Sequence, residues 1–294
     1  MSAALDTATA TRSGKGHRDE NFPVASHLIH PKNRPAILAF YNYVRAGDDI
    51  ADHKALDAGR KVAMLDALAD ALTGAGPGDP EAAPLKAELA ARGLPPLHAL
   101  ELLDAFRMDA RKNRYADWDE LIHYCRYSAM PVGRYVLDVH GEDPARVYAA
   151  SDAICAALQV LNHLQDCGKD FRNLDRVYVP EETLRKHGAT VAMLGAEKAT
   201  PQLLAVIREL AQRTLDLLDE GRALPDLIDD TRLAMEIAAI HRLAVLLTRG
   251  LLARDPLSEK VHHGKAAFAL TALGAAAGAL ARRPFRGRRT RAAA

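Results

Sequence analysis

An all-α fold is predicted by three features of the sequence. Apolar residues recur at helical spacing along most of the chain, no stretch alternates as a strand would, and two acidic stretches place their side chains one helical turn apart. With 294 residues and a hydrophobic fraction of 49%, there is enough for one large helical domain or two small ones. The net charge of +1, from 39 basic and 38 acidic residues, gives no reason to expect a nucleic-acid partner. Cys125, Cys155 and Cys167 form no CxxC pair and suit a reducing compartment. No apolar run of signal-peptide length opens the sequence and no segment is convincingly membrane-spanning, so a cytoplasmic protein is expected.

Residues 1–18, rich in Ala, Thr, Ser and Gly, are expected to be a disordered tail, with the main domain over 19–262. The first helix is expected from Asn33 to about His53, with Pro35 in its first turn. Around that helix, at 100° per residue, Tyr41, Arg45, Asp48, Asp49 and Asp52 share an arc of roughly 100°. Clustered carboxylates repel unless something positive sits over them, and hard divalent cations such as magnesium suit carboxylate oxygens. Taken alone, the same arc also reads as a solvated acidic face.

Helices are expected next near 58–72, 81–92 and 97–112, separated by the Gly- and Pro-rich stretch 74–80 and by Pro95-Pro96. Asp117 and Glu120 have capping-box spacing, and the helix that follows is expected to kink or break at Pro131 and Gly133. Asp143 and Pro144 read as an N-cap and first helical residue. The helix they open carries Asn162, Asp166 and Asp170 at i, i+4 and i+8, within about 80° of each other and with Gln159 inside that arc. Ile154, Ala157, Leu158, Leu161 and Leu164 cover much of the rest. A solvated face would be wider and richer in Lys, Arg and Glu, so this narrow stripe reads as the wall of a cavity. If the two stripes face each other they form a clamp for metal ions, and magnesium held by a few carboxylates implies a phosphate or diphosphate ester. The second helix is expected to end with its acidic stretch, leaving 171–179 as a loop that carries Arg172 and Arg176.

Further helices are expected at 200–221 and 227–253, divided by Pro225. The last region, 263–294, is an Ala-rich helix followed by Arg282, Arg283, Arg286, Arg288, Arg289 and Arg291. That basic tail reads either as a contact with anionic lipid or as an ordinary solvated tail.

Asp48-Asp49-Ile-Ala-Asp52, the run Asn162-x-x-x-Asp166-x-x-x-Asp170, the segment 124–133 and Arg176-Val-Tyr178 together resemble the squalene and phytoene synthase family, over about 20–260. Glu20-Asn21-Phe22-Pro23-Val24-Ala25-Ser26 is most similar to the family's bacterial hopanoid-pathway branch, which turns presqualene diphosphate into hydroxysqualene. The resemblance implies a single-domain isoprenoid-synthase fold, helices around a central cavity, with magnesium bridging both acidic helices to a substrate diphosphate. It implies that Asp48, Asp49 and Asp52 bind metal from one wall and Asn162, Asp166 and Asp170 from the other, and that Arg45 and Arg176 hold diphosphate oxygens. Phe22, Tyr41, Tyr127, Ala129, Val132 and Gly133 match segments that line the family's prenyl pocket, although each also suits plain core packing; Gln159 and Tyr178 join the substrate-binding set.

There are departures. Glu20-Asn21-Phe22 stands where two-step relatives carry a basic-Ser-Phe run, His241 where many carry Tyr, and Lys260 where many carry Arg. These departures favour a one-step enzyme acting on presqualene diphosphate over head-to-head condensation of two prenyl diphosphates to presqualene diphosphate, squalene or phytoene. No Gly-x-Gly-x-x-Gly follows a strand, and NADPH is not expected. A presqualene diphosphate synthase is an expected functional partner, and the inner face of the membrane an expected peripheral location. A non-catalytic helical protein and a membrane-binding module are the rival classes.

Overall fold

The computed structural model describes residues 8–12, 28–262 and 264–283. Among them there is no strand, only a single parallel bridge between Arg114 and Val177. The helices are α1 (Arg34–Asp52), α2 (Ala58–Thr73), α3 (Ala83–Arg92), α4 (Leu97–Asp109), α5 (Trp118–Ser128), α6 (Met130–His140), α7 (Pro144–Leu174), α8 (Glu181–Lys186), α9 (Pro201–Gly221), α10 (Leu224–Leu227), α11 (Thr231–Ala253) and α12 (Lys265–Arg282). They fall into two compact units: the described residues of Met1–Asn113 with Arg134–Gly141, and those of Arg114–Gly133 with Glu142–Ala294.

In the first unit α1 is held from its apolar side. Phe40, Tyr43, Ala46 and Ile50 are buried, and Tyr43 donates its hydroxyl to the Leu68 carbonyl at 3.2 Å. A Cβ on Gly47 would lie 2.8 Å from Leu103 Cδ2 and 2.9 Å from Phe106 Cδ2. Glycine between Arg45 and Asp48 therefore lets α1 press onto α4, which fixes the rotation of the acidic edge. Tyr135 of α6 stacks on Phe40 at 3.9 Å and donates to the Ala36 carbonyl at 3.1 Å. Ala8–Thr11, within the expected tail, is a 3-10 turn packed on α1, and Arg12 donates to the Asn42 carbonyl at 3.3 Å.

In the second unit several sequence signals are realised. Asp117 accepts from the Glu120 N–H at 2.9 Å while the Glu120 carboxylate accepts from the Ala116 N–H at 2.6 Å, which starts α5. The break comes at Ala129 (φ −135°), ahead of the expected Pro131 and Gly133, and α6 runs through both because Pro131 lies in its first turn, where a missing N–H costs no helical bond. Asp143 caps α7, accepting from the Ala145 N–H at 3.1 Å with Pro144 behind it.

One boundary differs. Residues 171–174, expected in a loop, continue α7 to Leu174. The turn comes at Asp175, whose φ of 51° is left-handed, a conformation aspartate tolerates better than most residues. Its N–H returns to the Phe171 carbonyl at 3.1 Å and that of Arg176 to the Asp170 carbonyl at 3.3 Å. Likewise α11 starts at Thr231, after the expected 227, because Asp230 accepts from the N–H groups of Arg232 and Leu233 at 2.8 and 2.9 Å.

Candidate active site

Two acidic half-sites emerge, one in each unit. On α1 the Arg45 guanidinium donates to Asp48 Oδ2 at 2.6 Å and to Asp49 Oδ1 at 2.8 Å. Asp49 is 4% exposed and is also approached by Arg12, 3.7 Å from its second oxygen. Burial, and then the charge of Asp52, raise the Asp48 pKa to about 7 against the pull of Arg45. The Asp48 side chain is still 31% exposed, so the burial acting on it is that of a recess and not of a core. Tyr41, one turn before Arg45, and Asp52, one turn after Asp48, are half-buried.

On α7 Gln159, Asn162, Asp166 and Asp170 are all half-buried, as a cavity wall would be. Asp166 lies 3.7 Å from Lys169. A cavity of about 210 Å³ beside it is lined by Asp166, Lys169, Arg172, Glu259, Lys260 and His262, so Lys260 shares a recess with this stripe. His241 does not line that recess; its imidazole bonds the Leu218 carbonyl at 2.7 Å.

Arg176 and Tyr178 are 8% exposed each. The tight end of α7 sets the Arg176 backbone beside that of Asp170, and Arg114 holds that end by donating to both the carbonyl and the carboxylate of Asp175. Tyr178 stacks on His163 with centroids 3.6 Å apart, and its hydroxyl lies 3.5 Å from that of Tyr124. Burial first, and the Arg176 charge second, lower the His163 pKa to about 3, so its ring is a neutral plate under the tyrosine.

The expected pocket residues scatter more. Tyr127 is half-buried against His123, Ala129 is buried at the helix break, and Val132 is 41% exposed. Gly133 also packs closely: a Cβ there would meet Ser151 Oγ at 2.4 Å and Cys155 Sγ at 2.6 Å. Phe22, with the rest of Glu20–Ser26, lies outside the described residues. Sequence reasoning missed Arg114, Asp175, His163 and Arg12. His163, next to Asn162 in the acidic stretch, carried a signal in its neighbours. Nothing in the sequence around Arg114 or Arg12 pointed to the partners they take 61 and 37 positions away.

The donor set is all oxygen, the chemistry of a hard cation. Among the described residues no three His, Cys, Asp or Glu side chains are grouped closely enough to cage an ion alone. Magnesium suits such a set because it usually takes one or two carboxylates together with substrate phosphates.

Residues 16–266 match the family model for squalene/phytoene synthase. The chain belongs to the squalene/phytoene synthase family. This family uses prenyl diphosphates and is typically metal-dependent. The chain is 54% identical over 281 residues to a hydroxysqualene synthase of Rhodopseudomonas palustris, with 96% of each covered. It is 48% identical over 275 residues to one of Zymomonas mobilis, covering 93% of this chain and 92% of the relative. Among solved structures, the squalene synthase HpnC from Alicyclobacillus acidocaldarius is 34% identical with a TM-score of 0.66, covering 94% of this chain and 91% of that one. A dehydrosqualene synthase, 21% identical and covering 85% and 88%, shares the isoprenoid-synthase fold at a TM-score of 0.74.

Proposed function

We propose that the chain converts presqualene diphosphate and water to hydroxysqualene and diphosphate. What carries the reading is its near-full-length likeness, at 48% to 54% identity, to proteins named hydroxysqualene synthase. Asp48, Asp49 and Asp52 on α1 and Asn162, Asp166 and Asp170 on α7 serve one diphosphate through magnesium, which supplies charge neutralisation for the leaving group. Arg45, held in place by Asp48 and Asp49, and Arg176, held by the end of α7, offer forked N–H donors to the diphosphate oxygens. The carbon–oxygen bond breaks with its electron pair leaving on diphosphate. The cyclopropylcarbinyl cation rearranges to the linear head-to-head skeleton, and water adds to it and loses a proton. Phe22, Tyr41 and Tyr127 supply π-faces that favour the cation, and Gln159, Tyr178, Ala129, Val132 and Gly133 complete the proposed substrate-binding set. Termination by water needs no NADPH.

No helix among the described residues is long and apolar enough to cross a membrane. Substrate and product are long isoprenoid lipids, so the reading places the protein at the inner face of the membrane, the basic tail near anionic lipid. Its substrate comes from an enzyme that condenses two prenyl diphosphates head to head. The test is product analysis with magnesium and either presqualene or farnesyl diphosphate, without NADPH. Hydroxysqualene forms from presqualene diphosphate alone, and Asp49→Asn and Asp166→Asn each lower turnover by about a thousandfold or more while keeping the helical circular dichroism. Product made directly from farnesyl diphosphate, or activity kept in both variants, contradicts the reading.

A further inference from the structure

Helix α12 has a composition that a solvent-facing helix does not need. Between Lys265 and Arg282 it carries no charge, and Thr271 is its one polar side chain. At 100° per residue its exposed positions from Ala266 to Ala281 fall in an arc of about 160°, and every residue in that arc is Ala, Gly or Leu. Leu270 is 73%, Leu273 68% and Leu280 49% exposed, three of the five large hydrophobic residues exposed among the described residues. Surface helices ordinarily put charge on this side.

The apolar arc borders a depression of about 540 Å³ shared with α11 and the end of α9. Arg222, His241, Arg242 and Arg282 line it beside Leu270 and Gly274, and no carboxylate does. Arg222 is paired with Asp219 at 3.0 Å and Arg282 with Asp226 at 3.2 Å. Arg242 is exposed and, among the described residues, makes no hydrogen bond or ion pair. Three guanidinium groups facing one recess suit a phosphate, and the neighbouring leucines suit acyl chains.

We propose that α12 lies flat on an anionic bilayer, its leucines among the acyl chains and a phospholipid headgroup phosphate in the arginine-lined depression. The occupant is a lipid and not a protein, because the arc offers no hydrogen-bonding group and no exposed aromatic anchor of the kind that gives protein interfaces specificity. Nor is it the following stretch of this chain: residues 284–294 carry four more arginines, which a depression already lined by three repels. The same four arginines favour an anionic surface beneath the helix. The surface deepens the membrane location proposed above and does not depend on the acidic half-sites.

The full-length protein is sedimented with vesicles of phosphatidylcholine alone and of phosphatidylcholine mixed with phosphatidylglycerol. Binding is expected to the anionic vesicles only. Leu270→Glu combined with Leu273→Glu, and separately Arg242→Glu, each weaken it by about tenfold or more. Replacing Arg286, Arg288, Arg289 and Arg291 by Gln weakens the binding but leaves a measurable preference for the anionic vesicles. Turnover of detergent-dispersed presqualene diphosphate, measured on the same samples, stays unchanged, which separates failure of this site from failure of the catalytic reading. Equal binding to both vesicles, binding that survives the leucine and Arg242 variants, or binding lost with the tail arginines alone overturns the proposal.

Discussion

Arg45 illustrates how single residues in this chain are placed by charge before any substrate arrives. It is gripped by two carboxylates at 2.6 and 2.8 Å, so its fork is oriented in advance and loses little freedom when it meets a diphosphate. His163 is fixed in the opposite way, by exclusion of charge. Its imidazole stays neutral in the folded chain down to about pH 3, whereas an unfolded histidine takes up its proton near about pH 6.5. Between those values the unfolded state binds more protons, so the His163 contribution makes stability fall as the pH falls. Above that window it contributes no slope. Urea unfolding at about pH 7 and about pH 5 should therefore show a loss on acidification that is smaller in His163→Leu, by up to about 1.4 kcal/mol per pH unit. An unchanged acid loss in the variant would contradict a buried neutral ring.

At the scale of helices, what positions the chemistry is how elements end and how closely they approach. The end of α7 depends on Arg114 closing over Asp175. Arg114→Ala should leave the helix content intact but lower kcat/KM by about tenfold to a hundredfold, because Arg176 is then less well held. Full activity would show that the backbone bonds of Asp175 and Arg176 suffice. Gly133→Val, which drives a side chain into Ser151 and Cys155, should cost about 1–3 kcal/mol of stability in a denaturant titration. Unchanged stability would mean that Ser151 and Cys155 give way easily.

These elements also mark how far the sequence could be read. Helix starts were legible at Asp117, Asp143 and Pro35, since side-chain caps and first-turn prolines act within one helical turn. The two acidic stripes were legible for the same reason, being set by helical period alone. The end of α7 was not, because no glycine announces it and Arg114 is 61 positions away. The closeness of Ser151 and Cys155 that requires glycine at 133 is a tertiary fact that spacing does not carry. Tyr178 was recognised by its motif, but the ring beneath it, His163, shows only once α7 and the loop after it are folded together.

For the whole molecule, family membership and the all-helical fold are established by sequence and structure alike, and the proposal concerns which reaction of the family this chain performs. Its defining step is the capture of a rearranged carbocation by water. The most direct measurement is turnover of presqualene diphosphate with magnesium in water labelled with oxygen-18, without NADPH, followed by mass spectrometry of the alcohol. The expected result is hydroxysqualene carrying the label in its hydroxyl group, released with unlabelled diphosphate. An unlabelled alcohol would mean that the oxygen came from the diphosphate, and no alcohol at all would mean that another member's reaction takes place here; either result contradicts the proposed function.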